Sequence, residues 1–173
     1  MSLNDQRPAI LTARPKALTE RLPVVFTAQS KAYFYCRDAV CQFVLSKGAV
    51  PLNPFRVFEY FLGDRVERDL VRQGNNNLIR IAEELWVFGE TIADGVLAEI
   101  FLAKTLDKTI RYFTIHNQAE KIREVSPKDL KFERTVYATT KLKHHELLTR
   151  ILGHDPDKPL PQQLLFTELS EEQ

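Results

Sequence analysis

Apolar residues along this chain come in short β-rich runs, separated by longer stretches in which they recur at helical spacing. Val24-Val-Phe-Thr-Ala28 is the first run and reads as a buried strand. Ser30 is placed to cap a helix over Lys31 to Lys47, which closes at Gly48. Its apolar positions Phe34, Val40, Phe43 and Val44 fit one helical face. Ala49-Val-Pro-Leu-Asn53 predicts a second strand, ended by Pro54-Phe55. From Val57 to Ala82 polar and apolar residues mix, and Gly63 and Gly74 predict two helices or one kinked helix. Leu85-Trp-Val-Phe88 is the third strand, and Asp94 to Leu106 is a helix apolar nearly all round. Thr109 to Ile115 is a fourth strand, rich in β-branched and aromatic residues. Leu130 to Gly153 suggests one more helix, with a short strand around Phe132.

Strands alternating with helices of this length predict an α/β fold. The expectation is a small doubly wound, flavodoxin- or Rossmann-like parallel sheet of four to five strands. Helices cover both faces, and a C-terminal helix is added. The domain spans residues 23–153. Residues 1–22, with Pro8 and Pro15, read as an irregular N-terminal arm. Residues 154–173, with Pro156, Pro159 and Pro161 and an acidic end, read as a tail.

Composition narrows the partners. The chain has 173 residues, 44% hydrophobic and 27% charged, and a net charge of +1. So even a balance gives no broad field for a nucleic acid polymer or an anionic membrane. The apolar runs fall short of a membrane span, and Met-Ser-Leu-Asn-Asp-Gln-Arg-Pro lacks the apolar core of a signal peptide. Cys36 and Cys41 lie on different faces of the predicted helix and read as reduced, half-buried thiols. A cytoplasmic location is therefore expected.

In an open parallel sheet, ligands bind beyond the carboxyl ends of the strands. That rule selects Gln29 and Ser30, then Asn53, Pro54, Phe55 and Arg56, then the loop from Gly89 to Gly95, and last Ile115, His116 and Asn117. Amide donors, a hydroxyl at a helix start, an arginine and an aromatic face suit a nucleoside or nucleotide. Gln29, Ser30, Asn53, Phe55, Arg56, Gly89, Gly95 and His116 are the candidate binding residues; singly each is better read as an ordinary loop residue, and the set gains weight from the fold rule.

Glu99 is the sharper candidate. Its helical neighbours are Gly95, Val96, Leu102 and Ala103, and none of them is basic. Desolvation there raises a carboxyl pKa. Gly95, one turn earlier, leaves space through which a substrate can approach. A distant arginine, Arg80 or Arg111, is the alternative partner. Asp94 stands at the expected N-cap, either as a plain cap or as a second chemical group at the mouth of the site.

Other constellations carry less. His144, His145 and His154 show no ligand spacing of a known site, so no metal is expected. Asn75-Asn-Asn77 reads as a helix break or cap, with a binding role the lesser alternative, and Trp86 reads as core. Neither a Gly-Lys-Ser phosphate loop nor Gly-x-Gly-x-x-Gly is present, and no cofactor is expected.

Glu84-Leu-Trp-Val-Phe-Gly followed by Asp94-Gly-Val-Leu-Ala-Glu99-Ile-Phe-Leu-Ala103 resembles the nucleoside 2-deoxyribosyltransferase-like superfamily. The likeness covers roughly residues 24 to 116 and is strongest to uncharacterised members. It implies that Glu99 is a nucleophile that attacks the anomeric carbon, expels the base and forms a glycosyl-enzyme ester. It also implies sites completed by a neighbouring subunit, hence a homo-oligomer. The chain departs from the pattern where the first strand ends. Phe26-Thr-Ala-Gln-Ser30 has neither the glycine nor the proline usual there. An aspartate near the end of the third strand has no clear match, with only Glu83, Glu84 or Glu90 nearby. The function expected is transfer or hydrolysis of an N-glycosidic bond in a small-molecule nucleoside or nucleotide. The alternative is a non-catalytic module that senses such a ligand in the same crevice.

Overall fold

The structure, a computed structural model, describes residues 20–59 and 65–153. Most of the predicted N-terminal arm, Gly63, and the whole tail with His154 lie outside the described residues.

Four strands make one parallel sheet: β1 (Val24–Gln29), β2 (Val50–Leu52), β3 (Glu84–Phe88) and β5 (Thr109–Phe113), in the order β2-β1-β3-β5. A second, two-stranded parallel ladder joins β4 (Thr91–Ile92) to β6 (Lys131–Phe132). The helices are α1 (Arg37–Ser46), α2 (Pro54–Val57), α3 (Arg68–Ile81), α4 (Asp94–Thr105), α5 (Arg134–Thr140) and α6 (His144–Leu152). This is the doubly wound α/β architecture expected from the alternation of runs.

Period-two alternation divides the sheet into two faces, and each is buried. Phe26, Ala28, Leu85, Val87 and Tyr112 share a core with Ile79 of α3, Leu97, Ile100 and Phe101 of α4, and Leu147 and Ile151 of α6. The alternate residues Val25, Trp86, Phe88 and Phe113 pack on Val40, Phe43 and Val44 of α1. There the rings of Phe43, Trp86, Phe88 and Phe113 meet edge-on, tilted or stacked, with centroids 5.0–6.3 Å apart. Double burial explains why the strands read as near-continuous apolar runs. Residues 123–125 cover the outer side of β5: Thr114 N donates to Arg123 O at 2.8 Å and Val125 N to Tyr112 O at 2.9 Å. No helix among the described residues is long and apolar enough to cross a membrane.

Four local expectations change. The helix after Ser30 opens as a 3-10 turn over Lys31–Cys36 before α1 begins. Gly74 does not break α3; a Cβ there would come within 2.8 Å of the Phe58 ring, so the glycine admits that ring against the helix. The C-terminal region holds two helices rather than one. They part at Lys141, whose φ of 57° is left-handed. Finally, β4 in the loop after β3 was not foreseen, because two residues carry no periodicity.

Lysine in the left-handed conformation is strained where glycine is not. Lys141→Gly is expected to stabilise the protein by about 0.5–1 kcal/mol. The check is a higher urea midpoint at unchanged slope.

Candidate active site

The parallel sheet places the carboxyl ends of all four strands along one edge, where most of the predicted binding residues stand. Their polar groups are largely engaged with one another. Asn53, 1% exposed, caps α2 by accepting from Phe55 N at 3.0 Å. Its Nδ2 donates to Thr27 Oγ1 at 2.8 Å and to Gln29 Oε1 at 3.2 Å. Gln29 Nε2 in turn donates to Tyr33 O at 2.8 Å. Ser30 Oγ accepts from Ala32 N at 3.3 Å. This buried network ties β1 to β2, and alternation along β1 sets Thr27 and Gln29 on the α1 side of the sheet. Arg56 is ion-paired with Asp38 of α1. Phe55 is half-buried in α2. His116 Nδ1 accepts from Gln118 N at 3.0 Å. Gly89 has φ 114°, a conformation that favours glycine, and its N donates to Phe113 O at 2.9 Å.

Glu99 lies on the other face, between α4 and α3. Neither arginine considered for it is its partner. Arg111 forms a two-pronged pair with Glu124, at 3.1 and 2.7 Å, and lies over Trp86; Arg80 donates to Asn77. Instead Asn75 Nδ2, from the middle of α3, donates to Glu99 Oε1 at 2.7 Å. Burial pushes the Glu99 carboxyl up to about 7, against a smaller lowering by that amide. Part of the residue still reaches the surface. On the Gly95 flank, a Cβ built on the glycine would meet no heavy atom within 4 Å. Asp94 is not the N-cap. Ala93, with extended φ −80° and ψ 162°, takes that position, and Asp94 opens the helix with Oδ1 accepting from Gly95 N at 2.8 Å.

Asn75 is the residue that sequence reasoning set aside. Its signal was its place one turn before Ile79, on the face of α3 that meets the core. The amide is incompletely satisfied: Asn75 Oδ1 is buried and has no partner among the described residues. Such an acceptor costs about 1–3 kcal/mol.

A cleft of about 510 Å³ opens elsewhere, over Phe43, Phe113 and Ile122 between α1 and residues 119–124. Its Arg111 and Glu124 neutralise each other, and none of the predicted site residues lines it. Glu99, by contrast, has a neutral amide and no cation as its hydrogen-bond partner among the described residues. His144 packs on Phe132 and meets Tyr137 Oη at 3.1 Å. Burial pushes the free thiols Cys36 and Cys41 up, away from reactivity.

A parallel sheet with a desolvated carboxyl between two of the helices on one face defines a small α/β domain with a single-residue candidate centre. Residues 26–113 match the model of a family described as a domain of unknown function, DUF7768. The match spans half of the chain, and the chain belongs to that family. A comparison with curated proteins gives no match.

A carboxyl held near 7 rather than the ordinary 4.5 favours its neutral form in the folded state. Glu99 therefore costs nothing below about pH 4.5. Its penalty grows as pH rises to about 7 and is then constant, at roughly 3 kcal/mol. Glu99→Gln keeps an acceptor for Asn75 and cannot ionise. Denaturant titrations should show the variant more stable than wild type by about 2–3 kcal/mol at pH 8 and nearly equal to it at pH 4. Equal stability at both pH values would mean that the carboxylate is solvated.

Proposed function

We propose that the protein cleaves or transfers the N-glycosidic bond of a nucleoside or nucleotide, with Glu99 as nucleophile. The observation that carries the reading is a desolvated carboxylate whose hydrogen bond comes from a neutral amide and whose Gly95 flank is open. The resemblance of Asp94-Gly-Val-Leu-Ala-Glu99 to the nucleoside 2-deoxyribosyltransferase-like pattern supports the same role.

Asn75 occupies Oε1, so Oε2 is the oxygen left to react. It attacks the anomeric carbon from the face opposite the base. The bond from that carbon to the base nitrogen breaks, and its electron pair leaves with the base, which takes up a proton. Asp94, at the start of α4, is the group we assign to that proton exchange. Water or the nitrogen of a second base then attacks the same carbon, its proton passes to Asp94, and the ester C–O bond breaks to return the Glu99 carboxylate. No cofactor is needed. We place the reaction in the cytoplasm, in a homo-oligomer, on small-molecule substrates rather than nucleic acid polymers. Because the polar groups of Gln29, Ser30, Asn53 and Arg56 are engaged within the fold, we assign recognition of base and sugar to Phe55, Gly89, Gly95 and His116.

Incubation with a panel of ribo- and 2′-deoxyribonucleosides and their 5′-monophosphates, followed by chromatography for free base, tests the proposal. Release is expected with at least one substrate and is expected to fall by at least about 1,000-fold in Glu99→Gln. Because the ionised carboxylate attacks, kcat/KM should rise with pH through a midpoint near 7. Release that persists in the variant contradicts the nucleophile. Tight binding without release from any substrate would make the domain a sensing module instead.

A further inference from the structure

We infer that Asn75 is a positioning residue for Glu99: through Nδ2 it holds Oε1 and leaves Oε2 presented to the substrate. The inference rests on the reading of Glu99 as nucleophile and deepens it.

Three observations carry it. The first is the choice of partner. An arginine beside Glu99 would engage both carboxylate oxygens in a two-pronged pair, as Arg111 does with Glu124. That would leave neither oxygen for attack. A single N–H from an amide orients the group without neutralising it. The nearby cations are committed elsewhere: Arg80 to Asn77, Lys104 to Ile151 O, and Lys108 to Arg80 O and Ala82 O. Burial and the Asn75 amide are what set the acidity of Glu99, with no charged group contributing.

The second is the unpaired oxygen. When Glu99 is ionised it only accepts, so Asn75 then turns its NH2 toward it, as observed. Oδ1 is thereby directed away, buried, with no donor among the described residues. An apolar side chain at this helix contact would spare the fold that orphan. Stability alone therefore gives no reason for asparagine here, whereas holding a carboxylate does.

The third is the neighbour Gly74. The Phe58 ring approaches it so closely that a Cβ would come within 2.8 Å. This contact seats α3 at the residue immediately before Asn75 and helps set how far the amide reaches toward α4.

The test uses the full chain, the same panel of nucleosides and nucleotides, and three variants. Asn75→Ala removes the donor, Asn75→Asp keeps the shape but replaces the donor by a second acid, and Asn75→Gln keeps an amide. In Asn75→Ala, kcat should fall by about 10- to 100-fold with KM changed less than about threefold, and the pH midpoint should move above that of wild type. Asn75→Asp should move the midpoint further up, and Asn75→Gln should restore part of kcat. Unchanged kcat and midpoint in Asn75→Ala and Asn75→Asp, while Glu99→Gln is inactive, would overturn the positioning role and leave the nucleophile standing. If wild type releases no base, the nucleophile reading fails. The Glu99–Asn75 coupling is then read by carbon-13 NMR titration of the Glu99 carboxyl. A midpoint that does not rise in Asn75→Ala would overturn that too.

Discussion

A carboxylate kept out of water with only a neutral amide to hold it is the constraint around which this domain is organised. Burial favours the protonated form of Glu99, and the single Asn75 bond offsets only part of that preference. The group is therefore poised near neutrality, where small changes in its surroundings decide its charge. For that to persist, the two helices that flank it must be fixed. α4 is anchored by Leu97, Ile100 and Phe101 against the sheet, and α3 by Ile79 in the same core. This apolar frame desolvates the carboxyl that it surrounds.

The two faces of the sheet divide the labour. The α1 face carries the aromatic cluster and the Thr27–Gln29–Asn53 network, and both act to lock strands together. The α4 face carries the reactive candidate. Polar groups on the first face are satisfied by one another, while on the second face a buried acceptor is left over. Unpaired polarity next to a desolvated acid is the pattern of a site in which local rules give way to chemistry.

Much of this was legible in the order of residues, for physical reasons. Fully buried parallel strands write themselves as apolar runs, so Val24–Gln29, Glu84–Phe88 and Thr109–Phe113 were each found within a residue or two. Glu99 stood out because no basic residue shares its turn. What was hidden depended on contacts across the chain. Gly74 looked like a breaker because its reason, the Phe58 ring, lies 16 positions earlier in sequence. The role of Asn75 does not show in its own segment, which reads as a helix break or cap, because its partner is 24 residues away on another helix. Asp94 lost the cap position by one residue, a shift set by backbone angles at Ala93 that no composition rule reports. The engagement of Gln29 and Asn53 with each other was equally invisible, since it follows from strand register rather than from either residue.

The proposed chemistry requires a covalent bond between Glu99 and a sugar. A fluorine on the carbon next to the anomeric centre destabilises the positive charge that develops there and slows turnover of a glycosyl ester. Intact-mass measurement after incubation with 2′-fluoro-2′-deoxynucleosides, followed by peptide mapping, reads that bond directly. The expected result is one added fluorodeoxyribosyl group on the peptide containing Glu99, absent in Glu99→Gln. An adduct on another residue, or base release with no adduct at all, would contradict it.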